Sequence, residues 1–272
     1  MTKIWRHASG RRNTVRTGFP EISNKKKRIK NMSEKSKIYP HGKVEKIDEN
    51  IFMVRGSIKM NPLMRITRNM AIVRQGDELS LINPIRVSRE VELQIEALGS
   101  IKHIVRLGAF HGIDDPYYSE KYSASMWAQS GGSTYTVPKI DNEISAGCQL
   151  PFLNAEIIEF NGSMQSECVL LLKVGKGLLL TCDAIQNYGD YSYNNLLAKL
   201  LMPLIGFPRA TIVGPIWLKF MTPENQSLEA EFRKLLNLEF DSLLAAHGTL
   251  LEAGAHAAVE KAIDKAFLNK KS

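Results

Sequence analysis

Ala109-Phe110-His111-Gly112-Ile113-Asp114-Asp115-Pro116 is the stretch on which the reading of the fold turns. It follows a hydrophobic run, Ile101 to Val105, that reads as a buried strand. The loop places an imidazole and two carboxylates, all metal-binding side chains, just beyond a strand end. Loops at strand ends are where α/β proteins carry chemistry. Upstream, Ser88 can cap a helix running to Leu98, with Val91, Ile95 and Leu98 at helical spacing and Gly99 closing it.

Outward from that unit the pattern alternates between strand and helix, the mark of an α/β chain. Lys43 to Ile47 and Ile51 to Val54 predict a hairpin around Asp48-Glu49-Asn50. Thr67 to Arg74 and Glu78 to Ile82 predict a second around Gln75-Gly76-Asp77. Downstream come a short helix near Tyr117–Ala124 and strands at Thr134 to Val137, Ala155 to Phe160, Cys168 to Val174 and Leu178 to Thr181. Thr222-Pro223-Glu224 reads as a helix start, with Leu228, Phe232 and Leu235 as the buried stripe. Phe240 to Ala245 is a last strand leading to His247-Gly248, and residues 252–268 form an Ala-rich terminal helix.

The chain has 272 residues, 44% of them hydrophobic, enough for a sizeable core. Its net charge of +8 is unevenly placed. Residues 1–38 hold 12 of the 36 Lys+Arg and 2 of the 28 Asp+Glu, a net of +10, so the remainder is −2. That balance argues against a nucleic-acid groove on the domain and leaves nucleic-acid character to the tail alone. The reading is a basic, disordered tail at 1–41, with Met32 as an alternative true start, followed by one domain at 42–272. A nuclear-targeting patch at Lys25–Lys30 and an organelle transit segment are the competing readings of the tail. No apolar run follows the early basic residues, so a secretory signal is not expected. Cys148, Cys168 and Cys182 show no paired spacing and read as buried, reduced thiols of a cytoplasmic protein. Residues 196–221 are apolar but carry Lys199, Arg209, Lys219 and three prolines, which excludes a membrane-spanning helix. Core with a connecting loop is the ordinary reading there; a lid or a membrane-facing surface is the other.

Three strand ends deliver residues of metal-ligand type: His111 with Asp115, then Asp183 after Leu178-Leu179-Leu180-Thr181-Cys182, then His247. Singly, each has an ordinary structural explanation as a cap, turn or core residue. Together, in this order and at these places, they suit zinc, iron or manganese.

At these residues the sequence resembles the metallo-β-lactamase fold, in a divergent branch with a partly lost metal motif. The resemblance covers roughly residues 43–268. It rests on the two hairpins, on Glu96-Ala97-Leu98-Gly99-Ser100-Ile101-Lys102-His103-Ile104-Val105, on Leu178 to Ala184, and on Ala245-Ala246-His247-Gly248. It implies an αββα four-layer sandwich. The family's loop reads His-x-His-x-Asp-His, against His111, Ile113, Asp115 and Pro116 here. A further family histidine follows a Gly before the strand at 168–174, where Gly162 is followed by Ser163 and Met164. Asp183 matches the bridging carboxylate and His247 the last ligand, while Asp114 and Glu167 are spare carboxylates.

The resemblance implies a metal-dependent, hydrolase-like protein with an atypical mononuclear site. His111, Asp115, Asp183 and His247 would hold one zinc, iron or manganese ion, with Asp115 or Asp183 orienting a water. The substrate would be a small molecule with an ester, lactone, thioester or amide bond. Tyr117-Tyr118 and the Trp127 region would either line the substrate side or belong to helix core and rim. The alternative is a non-catalytic, metal-free member that binds a small ligand or a protein partner through the same polar cluster. The sequence assigns no oligomeric state.

Overall fold

Strands buried on both faces require a packing layer on each side, and both large sheets of this protein are of that kind. The computed structural model describes residues 37–131 and 134–267. The tail read at 1–41 lies outside them up to residue 36.

Seven strands lie side by side in chain order: β1 (Val44–Asp48), β2 (Ile51–Lys59), β3 (Arg65–Gln75), β4 (Glu78–Ile82), β5 (Ser100–Arg106), β6 (Ser125–Ala128) and β7 (Asn142–Glu143). The first four form an antiparallel meander; β4 to β7 run parallel. The crossover from β4 to β5 is helix α1 (Arg89–Glu96), capped by the Ser88 side chain on the Val91 N–H. Helix α2 (Asp115–Tyr122) links β5 to β6. Then follow β8 (Ala155–Glu159), β9 (Cys168–Leu172), β10 (Leu178–Thr181), β11 (Ile185–Asn187), α3 (Leu196–Leu201), β12 (Thr211–Val213), α4 (Pro215–Met221), α5 (Glu229–Lys234), β13 (Ser242–Ala245) and α6 (Ala255–Phe267). The second sheet has the order β13-β10-β9-β8, and β11 and β12 pair as a small ribbon.

Alternation along the strands sorts side chains into layers. Ile51 and Met53 of β2 face Leu170, Leu172, Leu178 and Leu180 of the other sheet. Phe52 and Val54 of the same strand face outward to Val91 and Ile95 of α1 and Tyr118 of α2. Val169, Leu171, Leu179 and Leu243 point to the opposite outside, where Trp217, Phe232, Val259 and Ile263 cover them. The result is helix, sheet, sheet, helix, the four-layer sandwich expected.

Two expected elements differ. Thr134 to Val137 is irregular, and Ser125–Ala128 takes the place beside β5 instead. The Tyr135 carbonyl accepts from Arg106 Nη1 at 2.9 Å, so this segment packs over the site rather than extending the sheet. The Thr222-Pro223-Glu224 signal does not start a helix. Thr222 ends α4, its hydroxyl donating to the Leu218 carbonyl at 2.6 Å, and Asn225 turns the chain with a φ of 60°. The next helix begins only at Glu229, with Leu228, Phe232 and Leu235 buried as expected.

Leu170 is fully buried between the sheets, beside Leu180 and Ile157. Leu170→Ala is expected to lower unfolding free energy by about 2–5 kcal/mol, read as a lower urea midpoint at unchanged slope.

Candidate metal centre

Strands β10 and β13 are parallel, with Thr181 level with Ala245. Two residues further along each chain stand Asp183 and His247, so one register brings both to the same sheet edge. His111 arrives from β5 in the other sheet through a tight turn in which its N–H donates to the Gly108 carbonyl at 3.2 Å. Gly108 allows that approach: a Cβ there would lie 2.7 Å from both the Cys182 sulfur and a Glu167 oxygen.

The three side chains converge. His111 Nε2 lies 3.2 Å from Asp183 Oδ2 and 3.2 Å from His247 Nε2, and His247 Nε2 lies 3.2 Å from Asp183 Oδ1. Tetrahedral donors about 2.1 Å from a zinc ion stand about 3.4 Å apart, so the two ring nitrogens and the Asp183 carboxylate, whose oxygens each face one ring, lie at ligand-like separations. His247 Nδ1 sits 2.7 Å from the Thr67 carbonyl, which only accepts. The ring proton is therefore on Nδ1, and the Nε2 lone pair faces the triangle. Burial pushes His111 down to about 4, with the Asp183 charge opposing, so its imidazole is neutral at neutral pH. Burial also works against the Asp183 charge, but His111 and His247 outweigh it and hold this carboxyl well below the usual range. A neutral His111 imidazole and an Asp183 carboxylate are protonation states that bind a metal.

Glu167 braces the Asp183 turn from beneath. It is fully buried; one oxygen accepts from the N–H groups of Asp183 and Ala184 at 2.9 and 2.6 Å, the other from Trp217 Nε1 at 2.6 Å. Burial and the Asp183 charge push its pKa well above the usual carboxylate value, against those three donors. Glu167 is thus buried and fully paired, and it also stands within ligand range of Asp183 and Cys182. The one legible signal was an acid directly at the head of a wholly apolar strand.

Asp115 departs from the expected ligand set. His111, Asp183 and His247 group together among the described residues, and Asp115 is not with them. It begins α2, fully buried, with Oδ2 3.0 Å from Arg106 Nε. Asp114 accepts from the Arg86 N–H at 3.1 Å and lies 3.6 Å from Arg68 Nη1. The aromatics take the core-and-rim alternative. The Tyr118 hydroxyl donates to the Ile85 carbonyl, Tyr117 bonds Glu92, and Trp127 donates to His103; none of the three lines the site.

A cavity of about 310 Å³ opens over the triangle. His111, Asp183 and His247 lie in its floor beside the buried Arg68, with Tyr135, Tyr188 and Trp217 among its walls. Its remaining lining is mostly Ile, Met and Phe side chains. The site is therefore a small polar cluster with one guanidinium at the bottom of an apolar pocket, an arrangement suited to an apolar ligand with one polar group to be fixed.

No protein-family model matches the chain, and no curated protein matches it. Solved structures do. The metallo-β-lactamase FIM-1 from Pseudomonas aeruginosa, in its mono-zinc form, superposes with a TM-score of 0.58 at 13% identity, over 85% of this chain and 97% of that one. DIM-1 metallo-β-lactamase exposed to ceftazidime gives 0.56 at 12% identity, over 85% and 99%. A metallo-β-lactamase from Erythrobacter litoralis gives 0.54 at 15% identity, over 87% and 97%. The chain has the metallo-β-lactamase fold.

The neutral His111 has a consequence for acid stability. Its folded pKa of about 4 lies below the ordinary 6.5, so on acidification the unfolded chain takes up the proton first. The stability it contributes is complete above pH 6.5 and is lost as pH falls toward 4. Asp115, pushed up to about 6 by burial against the pull of Arg106, acts with the opposite sign as pH falls from 6 to 3.8. The informative comparison is therefore with His111→Gln in metal-free protein. Between pH 6.5 and 4.5 the wild type is expected to lose about 2 kcal/mol more than the variant in urea unfolding; equal losses would mean that His111 is not held neutral.

Proposed function

We propose that this protein is a metal-dependent hydrolase with a mononuclear site formed by His111, Asp183 and His247. The observation that carries this reading is the convergence of His111 Nε2, His247 Nε2 and the Asp183 carboxylate, with 3.2 Å between the two ring nitrogens and 3.2 Å from each ring to its own Asp183 oxygen. The zinc named for FIM-1 supports it at the level of the fold. Zinc suits two imidazoles and one carboxylate, and iron and manganese accept the same set. Held by His111, Asp183 and His247, such an ion would supply Lewis acidity toward a carbonyl and toward water.

The chain's own residues divide the remaining work. His247 is aimed by the Thr67 carbonyl, and Asp183 is aimed by Glu167 through the backbone. Asp183 would also orient the attacking water. Asp115 has no direct part, because its charge is committed to Arg106. The Arg68 guanidinium, which lines the cavity while paired with Asp114, would lend positive charge near a carboxylate or developing oxyanion of the substrate. The apolar walls would take the rest of a small ester, lactone, thioester or amide and exclude water from it. Three free thiols, two of them buried, support a reducing, cytoplasmic setting.

A second reading is a metal-free member of the fold that binds a small ligand or a partner. One observation favours it: His111 Nδ1 is buried without a hydrogen-bond partner. A proton on His111 Nε2, shared between Asp183 and His247, would hold the triangle together by itself and leave Nδ1 needing no acceptor.

Elemental analysis separates the two. Protein purified from zinc-, iron- and manganese-supplemented medium is expected to carry about one equivalent of metal. His247→Ala and Asp183→Asn should each lose it, with hydrolysis of a small ester and thioester panel reduced about 100-fold or more. Wild-type protein free of metal after such expression would contradict the hydrolase reading.

A further inference from the structure

The mouth of the cavity carries an apolar surface that the site does not use. Leu196 and Leu200 project from one side of α3, 75% and 63% exposed. Leu204 and Ile205 follow in the next loop, 81% and 48% exposed. On α4, the exposed Phe220 shares a face with Ile216. Across the mouth the β2–β3 hairpin adds Met60 and Leu63, and Asn195 Nδ2 donates to the Leu63 carbonyl at 2.7 Å, tying the hairpin to the start of α3. Met60, Ile205 and Ile216 also line the cavity, so surface and cavity are continuous. Exposed apolar patches of this kind mark protein or membrane contacts.

Charge distinguishes between them. Residues 57–66 and 191–223, which build this mouth, contain no Asp or Glu. They carry Lys59 and Arg65 in the first segment and Lys199, Arg209 and Lys219 in the second. The first described residues lie at the same place: Lys37 and Tyr39 share a cleft with Ile58, Lys59 and Ile113, which also line the main cavity. A symmetric pairing of two copies through this face would set cation against cation. A bilayer meets both requirements, since its interface accepts projecting Leu and Phe side chains and its phosphates accept Lys and Arg. Helices of six and seven residues are far too short to span, so contact would be peripheral.

We propose that this face docks on the surface of an anionic phospholipid bilayer, with the cavity opening toward the membrane. The docking does not depend on a bound metal. The full-length chain is expected to co-sediment with vesicles of phosphatidylcholine containing about one-third phosphatidylglycerol, and only weakly with pure phosphatidylcholine. Leu204→Asp combined with Phe220→Asp should reduce the bound fraction about tenfold, as should Lys199→Glu combined with Lys219→Glu. Leu153→Asp is the matched control. Leu153 is 72% exposed, but its N–H donates to Gln75 at the far end of β3, away from the mouth. It should bind like wild type, and so should His247→Ala, which keeps this test separate from the metal reading. Absence of binding to the anionic vesicles would overturn the proposal. So would binding that survives in the Leu204/Phe220 double variant, which would assign it to the basic tail. A wild-type dimer by light scattering that the double variant converts to monomer, without a change in vesicle binding, would assign the face to self-association and overturn it as well.

Discussion

The parallel pairing of β10 with β13 is the constraint from which the site follows. Thr181 and Ala245 are level, and each chain then delivers its polar residue after the same interval, Asp183 on one and His247 on the other. Both strands are almost wholly apolar and packed between a second sheet and a helical layer, so slipping the register by one residue would turn buried Leu side chains to the wrong layer. Beyond His247 the backbone must turn at once. Gly248 has a φ of 90°, and a Cβ there would lie 1.9 Å from the Asn187 carbonyl oxygen. The packing of the core thereby sets the spacing of the donor atoms, and Glu167 and the Thr67 carbonyl set their orientation.

Charge balance explains what stands around that triangle. A buried carboxylate needs a cation or several N–H donors. Asp115 and Asp114 sit where the family resemblance implies part of a metal loop, and here they are served by Arg106 and Arg68. Guanidinium groups thus supply positive charge on this side of the pocket. Ile113 lies half outside at the cavity rim and Pro116 lies inside the first turn of α2. Ser163 is turned into its own loop, bonded to the Phe160 and Gln165 carbonyls at 2.9 and 2.8 Å. The proposed site is the three-residue one, with an ion-paired wall on one side of the pocket.

Much of this was legible in the sequence because it depends on period and on strand ends. The alternation in β2 and β3, the apolar runs of β9 and β10, and the polar residues directly after β10 and β13 are local patterns that survive folding. What escaped depends on contacts between distant segments. Nothing in the spacing of Asp115 announces that Arg106, on the preceding strand, will claim its carboxylate. Arg68 lies within an otherwise alternating strand, and its burial at the cavity floor is visible only once α2 is packed against it. Tyr117 and Tyr118 follow the metal-type loop, yet the helix they belong to turns them toward Glu92 and Ile85, while Tyr135, Tyr188 and Trp217 come from elsewhere to line the pocket. The Thr-Pro-Glu cap signal failed for a local reason, the left-handed Asn225 one residue later.

The central claim is that three strand ends hold one ion between His111, Asp183 and His247. A crystal of the zinc-loaded protein, measured at the zinc absorption edge, tests it directly. The account predicts a single anomalous peak within about 2.0–2.2 Å of His111 Nε2, His247 Nε2 and an Asp183 oxygen, with Asp115 still on Arg106. A map without a peak inside the triangle, or with Asp115 as a fourth ligand and Arg106 displaced, would contradict it.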